Sequence, residues 1–149
     1  MEQEGQVRQL HSDLIDAWNR RDANAMAALY SERGGQVGFD GTAIEGPPQI
    51  KAHLAPIFRD HPTAAFVVIV REVRPIGPGT VLLRAVAGMI PPGSDKILLA
   101  RNVVQSLVCS LEDSVWKIEL FQNTPAAFEG RPDECEKLTA ELQAVADQG

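Results

Sequence analysis

From Ala65 onward the chain changes character. Four long segments, Ala65–Arg74, Thr80–Ile90, Lys96–Leu111 and Val115–Asn123, are apolar and rich in β-branched residues. Only short turn-forming stretches separate them: Pro75-Ile76-Gly77-Pro78-Gly79, Pro91-Pro92-Gly93 and Glu112-Asp113-Ser114. Connections that short join antiparallel neighbours, so the spacing predicts a meander. In Val115–Asn123 both parities are apolar, with Trp116, Ile118 and Leu120 on one and Val115 and Phe121 on the other. Val103–Leu111 is similar. A strand with one solvated face alternates apolar and polar residues. These do not, so both faces of the sheet need a cover.

The residues before Ala65 supply one cover. Val7, Leu10, His11, Leu14, Ile15 and Trp18 recur at helical spacing and predict a helix from about Gln6 to Arg21. Asp22 suits the N-cap of a second helix, with Ala25, Met26, Leu29 and Tyr30 inward and Gly34-Gly35 as its stop. Gln36–Phe39 and Thr42–Glu45 flank Asp40-Gly41, a hairpin turn signal. Gly46-Pro47-Pro48 opens a third helix with the stripe Ile50, Leu54, Ile57 and Phe58, closed by His61-Pro62. A last helix, about 132–147, starts at Pro132-Asp133 and turns Cys135, Leu138, Leu142 and Val145 to one side. Helices and strands are segregated along the chain, which argues an α+β fold. The second sheet face needs the tail helix or another copy of the chain, and the pattern points to a homodimer. No repeat or linker divides the chain, so one domain over 1–149 is expected, its core at about 6–128.

Hydrophobic residues at 44% and charged residues at 23% exclude a disordered chain. The net charge of -6 is opposite to what a phosphate-binding surface carries, so no nucleic-acid partner is expected. No apolar run approaches the ~18 residues of a membrane span. Met1-Glu2-Gln3-Glu4 is acidic with no apolar core behind it, unlike a signal peptide, and the expected location is the cytoplasm. Cys109 and Cys135 are read as a strand and a helix-face residue rather than a disulfide.

His11, His53 and His61 sit on separate elements without metal-ligand spacing, so no metal is expected. No Ser lies in a nucleophile elbow, and no Gly pattern cradles a nucleotide, so no cofactor is expected either. Asp40 and His53 are the candidates for proton transfer. Each also has a plainer account, Asp40 as a turn former and His53 as a hydrogen-bonded helix residue. The more informative residues are polar ones inside apolar strands: Arg84, Arg101, Asn102, Gln105, Glu119, Gln122 and Asn123. A buried polar group needs a partner. Arg84 and Arg101 either pair with Glu72 or Glu119 or line a cavity. Gln122 and Asn123 face opposite ways, so only one sees the cavity. Arg101, Asn102 and Asn123 are the candidates for polar recognition, with Trp18, Tyr30, Phe39, Phe58, Met89 and Phe121 as apolar lining.

Several segments carry a family resemblance. Ala17-Trp18-Asn19-Arg20-Arg21-Asp22-Ala23, Ala28-Leu29-Tyr30, Gly46-Pro47-Pro48-Gln49-Ile50 and Val115-Trp116-Lys117-Ile118 occur in order, followed by Phe121-Gln122-Asn123-Thr124-Pro125. They resemble the helix breaks and last strand of the nuclear transport factor 2-like superfamily, which includes ketosteroid isomerases and SnoaL-like polyketide proteins. The ending is most similar to the SgcJ/EcaC branch, associated with enediyne biosynthesis. The resemblance covers about residues 6–128. It implies a cystatin-like roll: three helices on a curved antiparallel sheet, closed into a cone with a pocket, often dimeric through the outer sheet face. It implies a small apolar ligand of polyketide or enediyne type. The alternative is a non-catalytic association module. The oxidoreductase label of that branch finds no redox-cofactor motif here. Ketosteroid isomerisation needs a base and an oxyanion hole, such as a Tyr with a protonated acid. By gapless counting from Asp22, the family's Tyr falls on Leu14, its base on Gly38 and its second acid near Val104. None can do that chemistry, so isomerase activity is not expected unless Asp40, two residues beyond Gly38, substitutes.

Overall fold

The structure, a computed structural model, describes residues 2–149. Its elements are α1 (Glu2–Asn19), α2 (Ala23–Ala27), β1 (Tyr30–Val37), β2 (Ala43–Glu45), α3 (Pro47–Asp60), β3 (Ala65–Gly77), β4 (Thr80–Ile90), β5 (Val103–Glu112), β6 (Val115–Pro125) and α4 (Pro132–Gln148). A 3-10 turn, Leu99–Arg101, precedes β5. The strands form one curved sheet in the order β2-β1-β6-β5-β4-β3. The predicted meander is its β3-β4-β5-β6 portion, antiparallel throughout. β1 joins β6 in parallel and carries β2 on its other edge.

The helical stripes land on the inner sheet face. Val7, Leu10 and Leu14 of α1 and Ile50 and Leu54 of α3 meet Val81, Leu83, Leu107 and Ile118 of the sheet, all buried. Asp22 caps α2 as its position predicts, its Oδ1 accepting from Ala25 N–H at 2.9 Å. Gly46, at φ +86°, turns the chain from β2 into α3.

The structure corrects two expectations. Gly34-Gly35 does not stop a helix. α2 ends at Ala27, and β1 continues through the glycines, its register against β6 shifting between Tyr30 and Gly35. A Cβ at Gly34 would sit on the Ile118 carbonyl oxygen, and one at Gly35 would lie 2.7 Å from that of Ile44. The glycines are there because two neighbouring backbones press on this strand. Nor is Lys96–Leu111 one strand. Pairing begins only at Val103, opposite Pro125. One further backbone bond, from Ala126 N–H to the Asn102 carbonyl at 2.8 Å, lies beyond that pair before the chain leaves the sheet. Residues 96–102 instead form a loop tied to α4: Gln143 Oε1 accepts from Ile97 N–H and its Nε2 donates to the Asp95 carbonyl, both at 2.8 Å.

On the outer face α4 lays Leu138 and Leu142 against Val86 and Ile97, with Val67, Ile69 and Val104 alongside. Arg71 of β3 holds Glu141 with two bonds of 2.6 Å. So the tail helix covers the β3-β4 part of that face. Leu82, Val108 and Leu120 remain half-buried beyond it. Val145, placed on the packed side by its spacing, is 37% exposed.

Candidate functional site

Toward one end of the inner face the core opens into a cavity of about 230 Å³. Helix residues Trp18 and Met26 form one side of it, and Val103 and Phe121 of β5 and β6 form the floor. Phe66 and Met89 close the β3-β4 side, and Val37, Gly38 and Phe39 the β1 side. Three polar side chains reach it: Gln36, Arg101 and Asn123.

Ring contacts fix three of the aromatic wall residues. Trp18 meets Phe58 edge-on, ring centroids 5.2 Å apart, and Phe66 at 5.4 Å. Its indole N–H donates to the Ala64 carbonyl at 2.9 Å, so it offers the cavity only its apolar surface. Phe39 lies under the Arg101 guanidinium, 4.7 Å from ring centroid to Cζ. Arg101 is exposed and has no carboxylate partner among the described residues.

A buried hydrogen-bonded chain leads from the wall into the core. Asn123 Oδ1 accepts from Gln105 Nε2 at 3.1 Å, and Gln105 Oε1 lies 3.0 Å from His11 Nε2. Gln105 is 0% and His11 1% exposed. Burial lowers the His11 pKa, against the hydrogen bond to Gln105, which raises it. With Gln105 Oε1 as the acceptor, His11 Nε2 is the donor of this bond. The period placed His11 on the apolar stripe of α1, and Gln105 stood out as polar within an apolar strand. Their meeting across 94 residues had no sequence signal.

Of the residues singled out by sequence, Trp18, Phe39, Met89, Arg101, Phe121 and Asn123 stand together on the cavity wall. Gln36, Met26 and Phe66 also line it and were missed. Tyr30 does not line it. It is buried at the start of β1, its hydroxyl donating to Gln36 Oε1 at 3.0 Å, and burial pushes its phenol well above its ordinary pKa. Phe58 backs Trp18 without lining the cavity. Asn102 turns away from its neighbour Arg101 and lies under α4, its Nδ2 donating to Thr139 Oγ1 at 2.8 Å. Asp40 sits in the β1-β2 turn, its Oδ1 accepting from Thr42 N–H at 2.9 Å. Those Thr42 bonds hold its carboxyl below the usual range. His53 is half-buried on α3. Neither Asp40 nor His53 lines the cavity. Arg84 is exposed, opposite Glu72 in register, yet Glu72 pairs with Arg74 at 3.5 Å. Gln122 faces outward, opposite Ser106.

Solved structures share this architecture. A cystatin-like domain of unknown function from Nostoc punctiforme superposes with TM-score 0.79 at 26% identity, over 98% of this chain and 97% of that one. The chain has a cystatin-like fold. An NTF-2-like protein of unknown function from Shewanella oneidensis matches with TM-score 0.66 at 16% identity, over 80% of this chain and 97% of the other. A ketosteroid isomerase-like protein from Erwinia carotovora matches with TM-score 0.66 at 14% identity, over 84% and 97%. No family model matches the chain, and no curated protein does.

Within this fold the positions counted from Asp22 can be placed. Leu14 is wholly buried, Gly38 is on the cavity wall, and Val104 faces α4 while Val103 faces the cavity. Among the described residues the wall has no carboxylate, imidazole, thiol or hydroxyl. Cys109 lies deeper, its thiol pushed up to about 12 by burial and, secondarily, by Glu119. No group of three or more His, Cys, Asp or Glu among the described residues could hold a metal ion. No described helix is long and apolar enough to cross a membrane. What this wall can do is enclose an apolar body and donate hydrogen bonds to it.

Proposed function

We infer that the chain, as one domain over residues 1–149, binds a small apolar molecule in the inner-face cavity, in the cytoplasm. One observation carries this reading. A space walled by Trp18, Phe39, Phe66, Met89 and Phe121 is left unfilled at one end of an otherwise close-packed core, with a few convergent polar groups. The resemblance to the SgcJ/EcaC branch makes an intermediate of polyketide or enediyne type the natural source of such a molecule. The volume limits what enters, since sites for drug-sized ligands run ~300–1,000 Å³. One ring with a short side chain fits within it.

A thermal-shift series with single-ring apolar compounds tests the reading. Ligands saturating the site at ~100 times Kd add about 2.7 kcal/mol of stability. Met89→Trp, which fills the cavity, is expected to abolish the shift while leaving the variant folded. Shifts that persist in Met89→Trp place binding elsewhere.

The same reading takes the chain as a homodimer through the outer face. Leu82, Val108 and Leu120 support it, a half-buried apolar strip that α4 leaves beside β5 and β6. Equilibrium sedimentation at micromolar concentration should give twice the chain mass, and Val108→Lys should return it to a monomer. A monomer for the unaltered chain removes this part of the reading.

A further inference from the structure

The polar groups on the cavity wall share one property. Gln36 Oε1 already accepts the Tyr30 hydroxyl, which leaves its amide Nε2 to donate. Asn123 Oδ1 already accepts from Gln105, which leaves its Nδ2 to donate. Arg101 can only donate. The Trp18 N–H is engaged outside. The wall thus offers its occupant hydrogen-bond donors and one positive charge, with both side-chain carbonyls already accepting one bond from within the protein and no counter-charge. In a chain of net charge -6, that local balance is inverted.

The polarity is set from the core. A glutamine can point its amide either way, and Gln105 is held by its other neighbour. Gln105 Oε1 faces His11 Nε2, and its Nε2 donates to Asn123 Oδ1. Asn123 must then show its own N–H to the cavity. No solvent reaches Gln105 to offer an alternative.

We propose that the cavity binds a small apolar carboxylate anion. Arg101 and Asn123 Nδ2 hold its oxygens, and the aromatic walls hold its apolar body. His11 is a positioning residue that acts through Gln105. The proposal rests on the small-molecule reading above and adds the ligand class. A carboxylate is the acceptor that answers an unpaired guanidinium best, because charge-assisted bonds are about twice as strong as neutral ones. The space accommodates on the order of ten non-hydrogen atoms at interior packing density, about the size of phenylacetate.

Isothermal titration with three probes of one shape tests this: phenylacetate, 2-phenylacetamide and 2-phenylethylamine. Phenylacetate should bind at least about tenfold tighter than the amide, and the amine should not bind. Arg101→Gln should remove that preference with little change for the amide. Gln105→Glu offers two acceptors, so Asn123 turns to donate inward and shows its carbonyl to the cavity. Phenylacetate binding should then be lost and amide binding kept, a change of ratio that mere loosening of the core would not produce. Asn123→Asp, at a half-buried wall position, gives the same discrimination should Gln105→Glu fail to fold. Equal affinity for all three probes overturns the proposal and leaves the cavity reading intact. So does an unchanged ratio in Arg101→Gln and Asn123→Asp. Binding of none of the three overturns both.

Discussion

The two ends of the inner sheet face are built from the same helices and strands and do opposite things. Along β5 the inward residues run Cys109, Leu107, Gln105, Val103. At Cys109 and Leu107 the face is sealed by Leu14, Leu54, Leu83 and Ile118. Two residues on, Gln105 is still fully buried but engaged with polar partners. At Val103 the same face borders open space. Within about three residue pairs, some 20 Å of strand, the interior changes from close-packed hydrocarbon to a lined cavity. Close packing is concentrated at one end and the open cavity at the other, with the His11–Gln105–Asn123 chain between them.

Substitutions at the sealed end should cost most. Leu107→Ala empties a fully buried site and should lower stability by ~2–5 kcal/mol in urea unfolding. Met89→Ala, half-buried and already beside a void, should cost less than half as much. Equal losses would mean the two ends do not differ. The outer face gives the next effect. A Cβ at Gly88 would meet Asn102 Oδ1, Ile97 Cγ2 and Leu142 Cδ1, each at 3.0 Å. Gly88→Ala should therefore overpack the α4 contact by ~1–3 kcal/mol.

The boundary between the ends should respond to acid. His11 has a folded-state pKa below its ordinary 6.5. Above 6.5 it is neutral in both states and contributes no pH dependence. Between 6.5 and the lowered folded value the unfolded chain binds more protons, so stability falls as pH falls through that window. Urea midpoints from about pH 8 to pH 5 should show the slope, and His11→Asn should flatten it. An unchanged slope in that variant would place its origin in other groups. The smallest effect is expected at the cavity mouth. Arg101→Gln should alter stability by no more than ~0.5 kcal/mol, because the side chain is exposed and unpaired. A larger loss would make Arg101 part of the scaffold.

The sequence carried the elements whose period is strong. α1, α3, β4 and the β5-β6 turn all follow from apolar spacing and turn residues. It also carried six of the wall residues, because large aromatics and strand-borne polar groups have few other reasons to be there. The failures share a cause: each depended on a neighbour distant in the chain. Gly34-Gly35 reads as a helix stop until the Ile118 and Ile44 carbonyls are seen against it. Lys96–Leu111 reads as one strand until Gln143 of α4 is seen holding the backbone at Asp95 and Ile97. Arg101 and Asn102 are adjacent, yet one reaches the cavity and the other lies beneath α4. No local pattern distinguishes them.

That last divergence gives α4 a reach beyond the face it covers. Thr139 holds Asn102, and Gln143 grips the backbone on both sides of Lys96. Arg101 stands on the short arch between these two clamps. The tail helix therefore works as a splint laid across the thickness of the sheet, setting from behind how far the guanidinium leans over Phe39. Substitutions in the seventeen residues of α4, on the far side of the sheet from the cavity, should therefore show as a change in its aperture.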